Sequence, residues 1–218
     1  MGTITRSFAN NLTTGGVLKA DAFDNASINN VTALNAAVAT GNMVLLSSQT
    51  ASSSASISFT TGIDSTYKEY QFYFIDIHPQ NNNVNFTFNM STDGGSNYNV
   101  TKTTTTFRTF HSESDASANL QYDTGSDLAQ STSDQFISVS VGNENDESTA
   151  GTLTLFNPAS TVFVKHFISR FSDVHEQPAS IDWYTAGYAN TTSAVNAVRF
   201  QMSSGNIDDG TILMYGIN

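Results

Sequence analysis

The chain has 218 residues, of which 39% are hydrophobic and only 12% charged, with 15 Phe and 8 Tyr but no Cys. That is enough apolar material for one ordinary domain, so disorder throughout is excluded, as is any fold held by disulfides or thiolate metal sites. Eight basic against 19 acidic residues give a net charge of −11, which argues against nucleic acid and against an anionic membrane surface as partners.

The polar residues are mainly Ser, Thr and Asn, which suit turns and exposed strand faces and are poor helix formers. Residues 1–42 carry apolar side chains singly, at Phe8, Leu12, Val17, Leu18, Phe23, Ile28, Val31 and Leu34, among Asn, Ser, Asp and Ala. Such spacing cannot build a core, so the segment is expected to be an extended N-terminal arm that orders by docking on a neighbour. Phe8, Leu12, Val17, Leu18, Phe23 and Ile28 are its candidate anchoring residues, and a short helix over Val31–Ala39 would end at Gly41. Met1-Gly-Thr-Ile-Thr-Arg-Ser lacks the charged start and apolar run of a signal peptide, and no apolar run approaches a membrane span. Synthesis in a cytoplasm, followed by delivery through assembly, is the expectation.

From Met43 the pattern is strand after strand. Met43–Gln49 and Ala55–Phe59 lead into Tyr70–Ile77, where Tyr70, Phe72 and Phe74 alternate with Tyr73, Ile75 and Ile77 as in a strand buried on both faces. Val84, Phe86, Phe88 and Met90 share one side of the next strand, and Asp93-Gly94-Gly95 then reads as a hairpin-type turn. Tyr98–Phe110 follows, with Thr103–Thr106 expected on a solvated strand. His111–Ser133 is polar and irregular, a long loop or a pair of short edge strands. Strands resume at Gln135–Val141, Thr152–Phe156, Thr161–Phe171, Ile181–Tyr188, Ala194–Met202 and Thr211–Ile217. About ten or eleven strands between turn signals, with no helical period among them, describe an all-β, antiparallel β-sandwich or jelly-roll domain over residues 43–218.

No catalytic motif stands out. There is no Gly-x-Ser-x-Gly elbow, His-Glu-x-x-His or phosphate loop, and the chain is expected not to be an enzyme and to use no cofactor. His78, His111, His166 and His175 are scattered and lack metal-ligand spacing. The acidic turn 143–148 and Asp208-Asp209 invite a calcium reading, but neither has the spacing of a known calcium loop, and solvated turns are the expectation. Trp183 is the candidate ligand contact, as part of an aromatic platform with Tyr184 and Tyr188. Alternation in a strand sets Trp183 opposite the two tyrosines, so one side of that strand belongs to the core.

Several segments carry a resemblance. They are Phe74-Ile-Asp-Ile-His-Pro79, Ser91-Thr-Asp-Gly-Gly-Ser-Asn-Tyr98, Leu153-Thr-Leu-Phe-Asn-Pro158, Val164-Lys-His-Phe167, Gly187-Tyr-Ala-Asn-Thr-Thr-Ser-Ala194 and the closing stretch from Ser203 to Ile217. As a set they resemble virion structural proteins of marine tailed bacteriophages, over roughly residues 43–218. The resemblance implies a virion component that works with major capsid or tail proteins, as a head decoration or fibre, or alternatively as a tail-associated receptor- or glycan-binding protein. It transfers no functional residues. By analogy with three-fold sites on shells, a homotrimer is the expected state.

Overall fold

The computed structural model describes residues 43–218, so the arm, its anchoring residues and the helix expected over Val31–Ala39 lie outside the described residues. Twelve strands form two antiparallel sheets, and among the described residues there is no helix. The larger sheet has the order β1 (Met43–Thr50), β12 (Ile207–Ile217), β3 (Glu69–Pro79), β8 (Thr149–Phe156), β9 (Lys165–Val174), β10 (Ala179–Ala189), β5 (Lys102–Ser112), β6 (Ala118–Tyr122). The smaller has the order β2 (Ile57–Phe59), β11 (Ala197–Met202), β4 (Val84–Ser91), β7 (Gln135–Val141). The expected all-β antiparallel sandwich is therefore the fold, built from unequal sheets of eight and four strands.

The core lies between the sheets and is aromatic. Phe72, Phe74, Phe167, Phe171 and Trp183 of the large sheet meet Phe59, Phe86, Phe88 and Phe200 of the small one, all fully or nearly fully buried. Ring centroids of Phe74 and Phe200 lie 4.8 Å apart edge-to-face, as do those of Phe88 and Phe167. This arrangement sets the positive edge of one ring on the negative face of the next. Alternation on β4 is as the sequence predicts, with Val84, Phe86, Phe88 and Met90 inward.

Three local expectations need correction. Strand β3 buries one face rather than two: Tyr70, Phe72 and Phe74 point inward, while Ile75 stays 45% exposed. Asp76 adopts φ 50° and the register slips between Phe74 and Ile77, so this bulge returns Ile77 to the core. Gly210 on β12 lies opposite with φ 120°, where a Cβ would come within 2.7 Å of the Asp76 carbonyl oxygen. Only glycine allows that close approach.

The threonine run is not solvated throughout. Thr104 and Thr106 face inward and are buried, whereas Phe107 faces out at 42% exposure. The turn at 93–95 is real, with Ser91 Oγ accepting the Gly95 N–H (3.0 Å) and Asp93 Oδ1 accepting the Asn97 N–H (2.9 Å). Ser91 Oγ also donates to Asp93 Oδ1 at 2.6 Å, and this bond, with those from Asn97, holds the Asp93 carboxyl down at about 2. The turn does not close a hairpin, however: β4 pairs with β11 and β7, β5 with β10 and β6, so it carries the chain from the small sheet to the large one. The 111–133 stretch contributes one short edge strand, β6, and then runs beside β5, where Ser131 and Lys102 exchange backbone bonds.

Candidate functional site

Among the described residues the small sheet covers only the inner side of the large one, and nothing covers the opposite face. Register places Tyr122, Phe107, Tyr184, Arg170, Thr152, Tyr73 and Leu213 in one row across it, strand by strand. Phe107 and Tyr184 stack face to face at 4.7 Å with only 4° between planes. Tyr184 in turn takes the Arg170 guanidinium at 5.0 Å on its ring. Asp182 accepts Arg170 Nη2 at 2.7 Å and the Tyr184 hydroxyl at 3.2 Å. These bonds raise the Arg170 guanidinium above its ordinary pKa, the Asp182 bond first. The row is pre-assembled, with its one charged pair mutually neutralised.

Around it lie exposed Leu120, Ile168, Leu45 and Met43, all on the same face or its two edge strands. On β5, β8, β9 and β10 the charged side chains facing out are Arg170 and Asp182. In a chain of net charge −11 these four adjacent strands carry no local excess of charge, while Glu69 on β3 and Asp208 and Asp209 on β12 keep the other side of the sheet acidic. Large exposed apolar surface of this kind marks interaction sites.

Trp183 does not belong to it. Its side chain is 1% exposed on the inner face, and its indole Nε1 donates to Asp173 Oδ2 at 3.1 Å. The ring has no free face, which corrects its reading as a ligand contact. Tyr184 and Tyr188 are on the outer side, as alternation requires.

The buried end of that bond is chemically unusual. Asp173 is 3% exposed; its Oδ2 also accepts Ser138 Oγ at 2.6 Å, and its Oδ1 has no partner. Thr149 Oγ1 donates to Ser138 Oγ at 3.0 Å, and the Arg108 guanidinium lies over the Trp183 ring at 5.3 Å. Burial pushes the Asp173 carboxyl up to about 7, against the Ser138 and Trp183 bonds and the Arg108 charge, which lower it. His175 nearby is pushed down, by burial first.

The two acidic segments named from the sequence do come together. Asp146 and Glu147 of the 143–148 turn face Asp208 and Asp209 across a shallow hollow that also takes in Asp76 at the β3 bulge and His78. The groups are engaged locally: Glu147 Oε2 accepts the Glu144 N–H at 2.7 Å, and Asp209 Oδ1 the Gly210 N–H at 2.7 Å. Among the described residues no three acidic or histidine side chains converge as metal ligands. The open face, by contrast, combines shape, exposure and neutrality.

No family model, curated protein or solved structure matches this chain. The site is therefore read from its own chemistry.

Proposed function

We propose that this protein is a non-enzymatic structural component of a phage particle, attached through residues 1–42 and displaying the sandwich as a head decoration or fibre. Two things support this: the resemblance of the segments over 43–218, and the aromatic, locally neutral outer face of strands β5, β8, β9 and β10. A neutral apolar face on an acidic protein suits contact between identical copies, because their net charges would otherwise repel. The occupant of that face is a second copy, and a closed ring of three is the proposed assembly.

Changing Phe107 and Ile168 together to Glu is expected to weaken self-association about tenfold or more, read by sedimentation of the full chain at graded concentrations. Both side chains are exposed, so the thermal midpoint should hardly move. An unchanged association constant would remove the face from the assembly. Deleting residues 1–42 is expected to abolish incorporation into particles while leaving the strand signature of the sandwich in circular dichroism. Normal incorporation of the truncated chain would end the anchoring role.

A further inference from the structure

Lysine is seldom fully buried, and this sandwich buries two, Lys102 and Lys165, on either side of Ala189 in one register row. Their surroundings differ. Lys165 Nζ is held by two backbone carbonyls, those of Phe163 (2.9 Å) and Thr191 (3.1 Å). Lys102 Nζ donates to the Val100 carbonyl at 2.8 Å and, at 2.7 Å, to a side-chain amide oxygen, Asn89 Oδ1. Asn89 is 1% exposed, on β4 of the small sheet, while Lys102 is on β5 of the large one.

That amide is oriented and polarised from both ends. Its Oδ1 also accepts the Met90 backbone N–H at 2.9 Å. Its Nδ2 donates to Asp134 Oδ1 at 2.7 Å and to the Thr132 carbonyl at 3.1 Å. Asp134 is itself fixed by Arg199 Nη2 (3.3 Å) and Gln201 Nε2 (2.8 Å). An amine and an amide carbonyl with a second donor on its oxygen are thus locked together out of water, with a quarter-exposed carboxylate on the amide nitrogen. These are the parts of an acyl transfer: nucleophile, oxyanion donor and proton carrier.

We propose that Lys102 and Asn89 form an intramolecular isopeptide bond that joins the two sheets covalently, with Asp134 carrying the proton. The uncharged Lys102 nitrogen attacks Asn89 Cγ, and the charge that develops on Oδ1 is held by the Met90 N–H. The proton from the attacking nitrogen passes to the Asp134 carboxylate and on to Nδ2. Cγ–Nδ2 then breaks and ammonia leaves. Nothing is oxidised or reduced: a lysine ammonium and a primary amide become a secondary amide and an ammonium ion.

Burial, partly opposed by the Asp134 charge, lowers Lys102 to about 8, so roughly one molecule in ten holds the free amine at pH 7. Asp134 and Arg199 are the charged groups bonded within this cluster. The Lys102 pair replaces, in a chain with no Cys, the covalent tie a disulfide would supply.

The test is a peptide map of the purified full-length protein, unfolded before digestion. The bond removes one ammonia, about 17 Da, and blocks trypsin after Lys102. Residues 69–108 should therefore appear as one looped peptide. A second cut after Tyr98 decides the matter, because the pieces carrying Asn89 and Lys102 stay joined if the bond exists. Their separation overturns the proposal, including the case in which the mass loss comes from a succinimide at an asparagine. Trypsin should cut normally after Lys165, whose nitrogen faces no side-chain amide. In K102R the pieces should separate, and D134N should acquire the link at least tenfold more slowly after refolding. Linkage of D134N at the parent rate would remove Asp134 from the reaction.

Discussion

Cutting Phe200 back to alanine is expected to lower the unfolding free energy by about 3–5 kcal/mol. Phe200 is fully buried on β11 and is the ring on which the two sheets meet. Its centroid lies 4.8 Å from Phe74, 5.3 Å from Phe72, 6.1 Å from Phe86 and 6.2 Å from Phe59. Those rings are themselves packed against Phe171 and one another, so they have little freedom to collapse into the space left behind. A domain of ordinary stability holds about 5–15 kcal/mol in all, so the variant should unfold at much lower urea concentration. Phe107→Ala on the open face is the control and should cost less than about 1 kcal/mol. A loss at Phe200 no larger than at Phe107 would contradict the packing described.

The second large effect is a pH dependence centred on Asp173. Burial pushes its folded carboxyl up to about 7 from an ordinary 3.8, so between those values the folded chain is expected to hold a proton that the unfolded chain has released. Stability from this group is full below about 4 and is lost as pH rises through about 7. A shift of about three units at 1.36 kcal/mol each gives a loss of about 4 kcal/mol. His175 runs the other way: its folded pKa is depressed below 6.5, so its contribution is lost as pH falls below that value. D173N removes the first slope and leaves the second. Urea unfolding at pH 5 and pH 8 should show the parent losing stability on the way up relative to D173N. Parallel profiles for the two proteins would mean that Asp173 does not titrate in this window.

Much of the fold was legible because a strand announces itself locally. Val84, Phe86, Phe88 and Met90 alternate with polar residues, and a period of two has one reading when one side is clearly apolar. Where both sides are alike the pattern misleads. Tyr70–Ile77 is apolar on both sides, yet the partner sheet covers only one, and a bulge re-aims Ile77. Lys102–Phe110 offers threonines to both sides, and the side carrying Thr104 and Thr106 is the one buried, because Gln135 and Thr185 are there to bond their hydroxyls. The candidate site was less legible. Trp183 stands out in a sequence as a lone large aromatic, but its neighbour Tyr184 is the residue on the open face, and only the row it forms with Phe107 and Arg170 makes it distinctive.

By itself the sequence determined that this is a Cys-free, acidic, all-β chain, where most of its strands run and where it turns. Those properties are written within a few residues of each other, in alternation, in glycine and in composition. Which strands neighbour one another was decided only by the tertiary structure. So was the meeting of the acidic turn with Asp208 and Asp209, and the enclosure of Lys102, Asn89 and Asp134 in one cluster. Alternation says which residues share a face and is silent on what that face meets. Strand order and sheet-to-sheet contact follow from how the whole set of apolar faces can be buried at once.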